Sequence, residues 1–180
     1  MESPQPVKDL LPDCAKDSRL NLDAVLGRSS LTPPHPLGAA LAAAFAAANP
    51  RLVAALRALP GLDAAHAQAA LTAGALMGMN NTWYPYLEMA DDPELRTLRA
   101  ELRMNAYAGH AGVDKMSFEL NALAASIVGK CEFCVRSHYK LLREAGLSAQ
   151  QLRDVGRIAA VVSAVAQVLA VEASEAPATV

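Results

Sequence analysis

The densest group of chemically reactive side chains lies in residues 129–138, which read Gly-Lys-Cys-Glu-Phe-Cys-Val-Arg-Ser-His. We predict that Gly129 ends one helix and that Cys131 and Cys134, in Cys-x-x-Cys spacing, open the next. Both thiols then lie among the free N–H groups of a first helical turn, where the helix dipole favours negative charge. Lys130 favours a thiolate for the same reason. Because this spacing also lets the two sulfurs form a disulfide, the pattern predicts a dithiol that gives up electrons in pairs.

Two further side chains fit an activated thiol. His138 follows Cys134 by four residues, so that both lie on one helical face. An imidazole beside a cysteine is typical of a thiol nucleophile whose proton is taken up by a neighbouring base. Glu119 is the candidate for orienting the imidazole, because it shares a face with Leu123 and Ile127, which are apolar and point to the core. A solvent-facing Glu119 is the alternative that spacing leaves open.

Zinc binding is a second interpretation of the same pair. With His138 the two cysteines supply three ligands, whereas structural zinc needs four. The sequence has no second Cys-x-x-Cys, and the other candidates, Cys14, His35, His66 and His110, are isolated. We expect Cys14 to be a bystander, His35 and His110 to be surface residues in loops, and His66 to be structural.

Composition predicts a soluble all-α protein. Of the 180 residues, 53% are hydrophobic but only 4% are aromatic, and alanine, the best helix former, dominates. We therefore expect a compact multi-helix domain formed by the whole chain, residues 1–180. The net charge of -2, without basic clusters, argues against nucleic acid as a partner.

The terminal and apolar segments favour a cytoplasmic location. The first six residues lack the basic start and apolar stretch of a signal peptide. Three cysteines without such a signal do not form a disulfide framework. The longest uncharged apolar run, residues 158–171, is shorter than the about 20 residues that cross a bilayer, so we expect a buried core helix and no membrane contact.

Prolines, glycines and capping residues divide the chain into helices, and we predict that Asp63 and Asp114 each cap the helix that follows them. We predict disorder for residues 1–6 and 174–180, and helices within 8–26, 37–48, 51–58, 64–77, 80–88, 93–106, 115–128, 131–145 and 149–172. A helix, a glycine and a second helix occur around both Gly78 and Gly129. This repetition suggests a duplicated helical hairpin, although chance similarity of alanine-rich helices explains it equally well.

Several short segments occur in a characteristic order along the chain. They are Leu11-Pro12-Asp13, Met77-Gly78-Met79-Asn80-Asn81, Leu102-Arg103-Met104-Asn105, Phe118-Glu119-Leu120 and the set Cys131, Cys134 and His138. From residue 10 to residue 172 the sequence resembles the alkylhydroperoxidase D family, a branch of the carboxymuconolactone decarboxylase-like superfamily. The Met-Gly-Met-Asn-Asn segment is specific to this branch, whereas the glutamate, cysteine pair and histidine occur across the superfamily.

The resemblance implies an all-helical homotrimer and an antioxidant, thiol-dependent alkyl hydroperoxide reductase. Such a protein reduces peroxides and regenerates the peroxiredoxin alkyl hydroperoxide reductase C. Its electrons come from dihydrolipoamide on a lipoylated acyltransferase, and it binds no cofactor or metal itself. A decarboxylase-like relative is the remaining alternative, but such relatives do not depend on a Cys-x-x-Cys pair.

The resemblance also implies roles for individual residues. Cys134 attacks the peroxide and becomes a sulfenic acid, and Cys131 resolves it as the Cys131–Cys134 disulfide, donates a proton and exchanges with partner thiols. His138 and Glu119 form a proton relay. The family has a histidine between the cysteines, whereas this chain has Phe133. No relay role is therefore expected at that position.

The electrostatic argument and the resemblance disagree about which thiol reacts with peroxide. Position at the helix terminus favours Cys131, the first and, we expect, more exposed thiol. The spacing to His138 and the resemblance both favour Cys134, and we follow them. We therefore assign the exchange with partner thiols to Cys131, because we expect its side chain to be exposed.

Overall fold

The computed structural model of the chain describes residues 3–175, with side chains to residue 174. All regular structure in this range is helical, which confirms the all-α prediction. The α-helices are α1 (Gln5–Lys8), α2 (Lys16–Leu22), α3 (His35–Ala46), α4 (Pro50–Arg57), α5 (Ala64–Ala90), α6 (Asn105–Ala108), α7 (Lys115–Val128), α8 (Glu132–Glu144) and α9 (Ala149–Glu175). Short 3₁₀ turns occupy Asp13–Ala15, Leu95–Thr97 and His110–Gly112, and a π-helical turn occupies Asp23–Gly27.

Side-chain caps fix where helices α4, α5 and α7 begin. Asn49, Asp63 and Asp114 each accept a hydrogen bond from the backbone N–H three residues further on, at 2.9, 2.8 and 3.0 Å respectively. A cap of this kind contributes about 1 kcal/mol, because it satisfies a donor that the helix itself leaves free. The predicted caps at Asp63 and Asp114 are confirmed.

Helix α5 does not break where we predicted. It runs without interruption past Gly78 and even contains Pro85. A glycine inside a helix costs only about 1 kcal/mol, and packing of the first half of α5 against α3 and α7 outweighs that cost. Of the two positions, only Gly129 separates two helices, and the predicted repetition of this pattern at Gly78 is wrong.

The predicted helix over residues 93–106 is also absent. The segment contains one 3₁₀ turn, and α6 begins only at Asn105. Two of its apolar side chains, Leu98 and Leu102, are 59% and 41% exposed. Because short helices depend on packing of an apolar face, a segment whose leucines face outward has nothing to stabilise a helix.

Parts of both segments predicted to be disordered are helical. Helix α1 begins at Gln5, within the first of them, and its Val7 is fully buried. At the other end, α9 extends three residues past the predicted end at Glu172. Residues 1–2 and 176–180 lie outside the described part of the chain, so the prediction for them is untested.

Helix α3 forms the centre of the bundle. Its residues 36–44 are all buried, and it packs against α5, α7 and α9. The small side chains allow close approach: a Cβ at Gly38 would lie 2.7 Å from Asn121 Oδ1 on α7, and one at Gly74 would lie 2.8 Å from Phe45. This closeness places α7, which carries Glu119, in the interior.

Helix α9 is longer than the apolar run that we took from the sequence. By length and composition it could cross a membrane, with a mean hydropathy of 1.7 over an 18-residue window of Ala149–Ser174. The side chains on its inward face are buried and recur every three or four residues: Val155, Ile158, Val162 and Val165. This is the pattern of a core helix, which passes the same test of length and hydropathy.

Asp154 joins α9 to the segment before α3. Its Oδ2 accepts hydrogen bonds from the Ser30 N–H and hydroxyl, both at 2.8 Å, and its Oδ1 lies 3.1 Å from both Arg153 and Arg157. Burial raises the pKa of Asp154, but the hydrogen bonds from Ser30 and the two arginines outweigh burial and lower it to about 2. The carboxylate is therefore charged in the folded protein and anchors this segment to the bundle.

We expect Asp154→Asn to lower the free energy of unfolding at neutral pH by about 1–3 kcal/mol, since Ser30 and the two arginines lose a buried, charged acceptor. The pKa is lowered on folding, so the stabilisation is complete above about pH 4 and is lost as the pH falls toward 2. Urea unfolding of both proteins at neutral and acidic pH measures this. Glu88→Gln, at an exposed site, is the control. A difference that stays equal at both pH values would contradict the prediction.

Candidate active site

The loop between α7 and α8 sets the position of the cysteine pair. Gly129 follows α7 as predicted, yet its φ is an ordinary −71°, and it is Lys130 that adopts the left-handed conformation with φ 55°. Gly129 is required for a different reason, because a Cβ there would collide with the side chain of Asn81. Asn81 donates a hydrogen bond to the Ala125 carbonyl at 3.1 Å and so holds α5 against the end of α7.

The two cysteines open α8 as predicted. Cys131 is the N-cap residue, and its Sγ accepts a hydrogen bond from the Cys134 N–H at 3.2 Å. Their Cα atoms are 5.3 Å apart, and their sulfurs lie within disulfide-bonding distance. The separation of about one helical turn therefore allows the two cysteines to interconvert between dithiol and disulfide.

The expected exposure of Cys131 is wrong. Cys131 is fully buried, whereas Cys134 is 2% exposed and lines a cavity. As the N-cap residue, Cys131 turns its side chain toward α5, where its Sγ lies 3.9 Å from the Asn80 carbonyl. Of the two sulfurs, Cys134 is thus the one beside open space.

Glu119 and His138 form a buried pair. The Nδ1 of His138 lies 2.6 Å from Glu119 Oε2, and the two residues are 5% and 1% exposed. The solvent-facing alternative for Glu119 is therefore wrong. Met77 is fully buried, and its sulfur lies 3.2 Å from His138 Nε2.

Tyr107 is a site residue that sequence reasoning missed. Its hydroxyl donates a hydrogen bond to Glu119 Oε1 at 2.5 Å, so both carboxylate oxygens of Glu119 have partners. Its ring packs edge-on against Phe118, with centroids 5.6 Å apart. Burial, and then the bond to Glu119, raise the pKa of Tyr107, which keeps it a donor. No spacing rule connects a residue of the short α6 to Glu119.

Glu119 carries its charge in spite of burial. Burial by itself raises the pKa of Glu119, but hydrogen bonds from His138 and Tyr107 outweigh burial, helped by the charges of His138 and Lys115. The net effect lowers the pKa below its ordinary value. Glu119 is therefore ionised at neutral pH and able to stabilise a protonated imidazole.

A cavity of about 240 Å³ lies beside Cys134, His138 and Tyr107. Tyr84 and Phe133 stack at its edge, with ring centroids 4.1 Å apart, and Phe133 is 48% exposed. The lining residues are Asn80, Tyr84, Met104, Tyr107, Phe133, Cys134, Ser137 and His138. A small molecule in this cavity meets a thiol, an imidazole and a phenol beside an aromatic wall.

The other metal-ligand candidates remain apart from the cysteine pair. His66 bonds to its own cap Asp63, and His35 begins α3, where it lies 3.1 Å from the Ser117 hydroxyl, half-buried rather than in a surface loop. Cys14 is exposed. Within residues 3–175 no three His, Cys, Asp or Glu side chains are grouped so as to hold a metal ion. The fourth ligand that the zinc interpretation needs is therefore not supplied by this part of the chain.

The class of protein follows from comparison with known sequences. Residues 93–175, which include Glu119, both cysteines and His138, match the carboxymuconolactone decarboxylase family. Over about nine-tenths of its length the chain is similar to proteins named alkyl hydroperoxide reductase AhpD. It is 46% identical to that of Rhodospirillum centenum, over 93% of this chain and 91% of the relative.

Two further relatives agree with this. Identity is 44% with the protein of Bradyrhizobium sp. strain BTAi1, over 93% of this chain and 92% of the relative. It is 43% with that of Streptomyces avermitilis, over 93% and 95% respectively. The chain belongs to the alkyl hydroperoxide reductase AhpD family, as the order of its motifs predicted.

The Tyr107 hydroxyl gives a testable pH dependence. Tyr107→Phe removes a hydrogen bond that lowers the pKa of Glu119, so that pKa should rise. We expect the acid limb of peroxide turnover to move to higher pH, with a several-fold loss of rate at the pH values of that limb and little change at neutral pH. Steady-state rates across pH measure this, with Tyr86→Phe, at an exposed tyrosine on α5, as the control. An unshifted acid limb in a folded Tyr107→Phe protein would rule out the role.

Proposed function

We propose that this protein is a thiol-dependent alkyl hydroperoxide reductase whose reaction takes place at Cys134. The observation that carries this proposal is the placement of Cys134 at a cavity together with His138, while Cys131 lies within bonding reach behind it. The family to which the chain belongs supports the same activity.

In the first step the Cys134 thiolate attacks the terminal oxygen of the hydroperoxide, and the O–O bond breaks. His138 takes the thiol proton and passes it to the leaving alkoxide, which departs as an alcohol. The charge of Glu119, 2.6 Å from Nδ1, stabilises the imidazolium between these two transfers. Cys134 is left as a sulfenic acid.

In the second step Cys131 attacks Cys134 Sγ, and the hydroxyl leaves as water with the Cys131 proton. The product is the Cys131–Cys134 disulfide, on the reversible part of the cysteine oxidation ladder. Dihydrolipoamide then reduces this disulfide by two thiol exchanges and becomes the cyclic disulfide. The sum is peroxide plus dithiol giving alcohol, water and disulfide.

The partners belong to the same proposal. We infer that the reduced pair also transfers its two electrons to the disulfide of the peroxiredoxin alkyl hydroperoxide reductase C, and receives them from a lipoylated acyltransferase. A homotrimer in the cytoplasm is proposed on the family resemblance. The chain's own residues supply the redox group, so the proposal includes no bound cofactor or metal.

Decarboxylation, the activity in the name of the matching family, is the competing function. A decarboxylation mechanism gives no role to the two sulfurs, which lie within disulfide-bonding distance of each other. Relatives that cover at least nine-tenths of this chain are named for alkyl hydroperoxide reduction instead. The peroxide reaction therefore accounts for more of the site.

Single cysteine substitutions separate the two thiol roles. We expect Cys134→Ser to abolish peroxide consumption, because the thiol at the cavity is gone. Cys131→Ser should consume about one equivalent of peroxide and then hold a sulfenic acid on Cys134, since no second thiol resolves it. Cys14→Ser, at the exposed third cysteine, is the matched control and should behave as wild type.

Trapping with dimedone and peptide mapping give the readout. A dimedone adduct on Cys134 in the Cys131→Ser protein supports the assignment. An adduct on Cys131 in the Cys134→Ser protein, with peroxide consumption retained, would reverse it.

Replacing Glu119 tests the relay. Glu119→Gln keeps the shape and part of the hydrogen bonding but holds no negative charge, so we expect at least about a tenfold loss of peroxide turnover. Thermal stability should change little, because removing a buried charge also removes its desolvation cost. Steady-state rates and thermal melts measure both, with Glu144→Gln, at an exposed site on α8, as the control. Turnover within twofold of wild type would remove Glu119 from the mechanism.

A further inference from the structure

The burial of the disulfide limits where a reducing thiol can reach it. Neither sulfur is at the surface, since Cys131 is fully buried and Cys134 is 2% exposed. Cys134 lines the cavity that also contains His138 and Tyr107, whereas Cys131 does not. A thiol that enters this cavity therefore meets the disulfide at Cys134.

The two sulfurs also differ as leaving groups. Thiol exchange is faster when the departing thiolate is stabilised. Cys131 Sγ accepts the Cys134 N–H at 3.2 Å, at the N-terminus of the 13-residue helix α8, where the helix dipole also favours an anion. If a thiol attacks Cys134, the sulfur released is the one that this position stabilises.

We infer that the reducing thiol enters through the same cavity as the peroxide and attacks Cys134 Sγ, so that the mixed disulfide forms on Cys134 and Cys131 leaves as the thiolate. This inference rests on the proposed function, and it reverses the expectation that Cys131 meets partner thiols. The incoming thiolate forms a bond to Cys134 Sγ while the Cys131–Cys134 bond breaks.

The second thiol of the dithiol completes the reaction. It attacks the external sulfur of the mixed disulfide and releases Cys134 as a thiolate, for which His138 lies on the same helical face. The dithiol is oxidised to a cyclic disulfide, and both cysteines are restored. A slender, flexible dithiol suits a cavity of about 240 Å³.

The stacked rings of Tyr84 and Phe133 then affect both the reaction with peroxide and the reduction of the disulfide. Their centroids are 4.1 Å apart, and both rings line the cavity that Cys134 also lines, so a reactant inside it lies beside them. Phe133 lies between the two cysteines in the sequence and lines the cavity. We therefore expect the size of its side chain to limit both the peroxides and the reducing thiols that reach Cys134.

Adduct mapping tests which sulfur is attacked. The wild-type protein is oxidised with diamide, mixed briefly with 2-mercaptoethanol, quenched with acid and alkylated with N-ethylmaleimide. Trypsin cuts after Lys130 and Arg136, so that both cysteines lie in one peptide, and fragmentation between Glu132 and Phe133 separates them. We expect mercaptoethanol on Cys134 and maleimide on Cys131. The reverse pattern would overturn the inference.

A second measurement does not depend on trapping the intermediate. Phe133→Ala should lower, several-fold, the ratio of disulfide reduction rates for 2-mercaptoethanol over glutathione, because the wider cavity admits the larger thiol. The rate ratio for hydrogen peroxide over cumene hydroperoxide should fall in parallel. Tyr139→Ala, at an exposed aromatic residue of α8, is the control.

The outcomes separate this inference from the proposed function. A thiol ratio that stays constant in Phe133→Ala while the peroxide ratio falls would show that thiols reach the disulfide elsewhere, and would overturn the inference alone. Both experiments on the thiol use diamide-oxidised protein and need no peroxide activity. Loss of the proposed peroxide activity would therefore leave their result intact.

Discussion

The negative charge of Glu119, which is only 1% exposed, governs how the surrounding helices must be arranged. A buried carboxylate without partners costs several kcal/mol, so it persists only where donors are held in place. Here His138 on α8 and Tyr107 on α6 each serve one oxygen, at 2.6 and 2.5 Å. Three separate elements must therefore keep their relative positions for the charge to be tolerated, and the same arrangement places an imidazole in the lining of the cavity that Cys134 also lines.

Close helix packing keeps these elements in position. Helix α3 is lined with small buried residues, and Gly38 lets it approach α7 so closely that a Cβ would strike Asn121. Gly129 allows the same at the far end of α7, where Asn81 of α5 lies against it. Because dense packing leaves little room for movement, the core holds Glu119 and His138 in place, whereas Tyr107 comes from the short helix α6, which has no buried residue.

One helical turn gives two identical side chains different chemistry. Cys131, as N-cap, faces α5 and accepts a backbone N–H, so a thiolate there is stabilised by the helix itself. Cys134, three residues on, faces the cavity, on the same helical face as His138. The first sulfur is suited to leaving and resolving, and the second to attacking and being attacked. This division depends on the direction in which each side chain points, not on residue type.

Residue patterns along the chain predict the features that depend on nearby residues: the helical class, the cap at Asp114, and the spacing that puts Cys134 and His138 on one face. These are set within one or two turns of backbone. Other features are visible only in the folded protein: α5 continues past its glycine, the segment before α6 stays irregular, Glu119 is buried and paired, Tyr107 reaches it, and Cys131 is the more deeply buried sulfur. Each depends on contacts between elements distant in the chain, and packing between elements outweighs local preference wherever the two disagree.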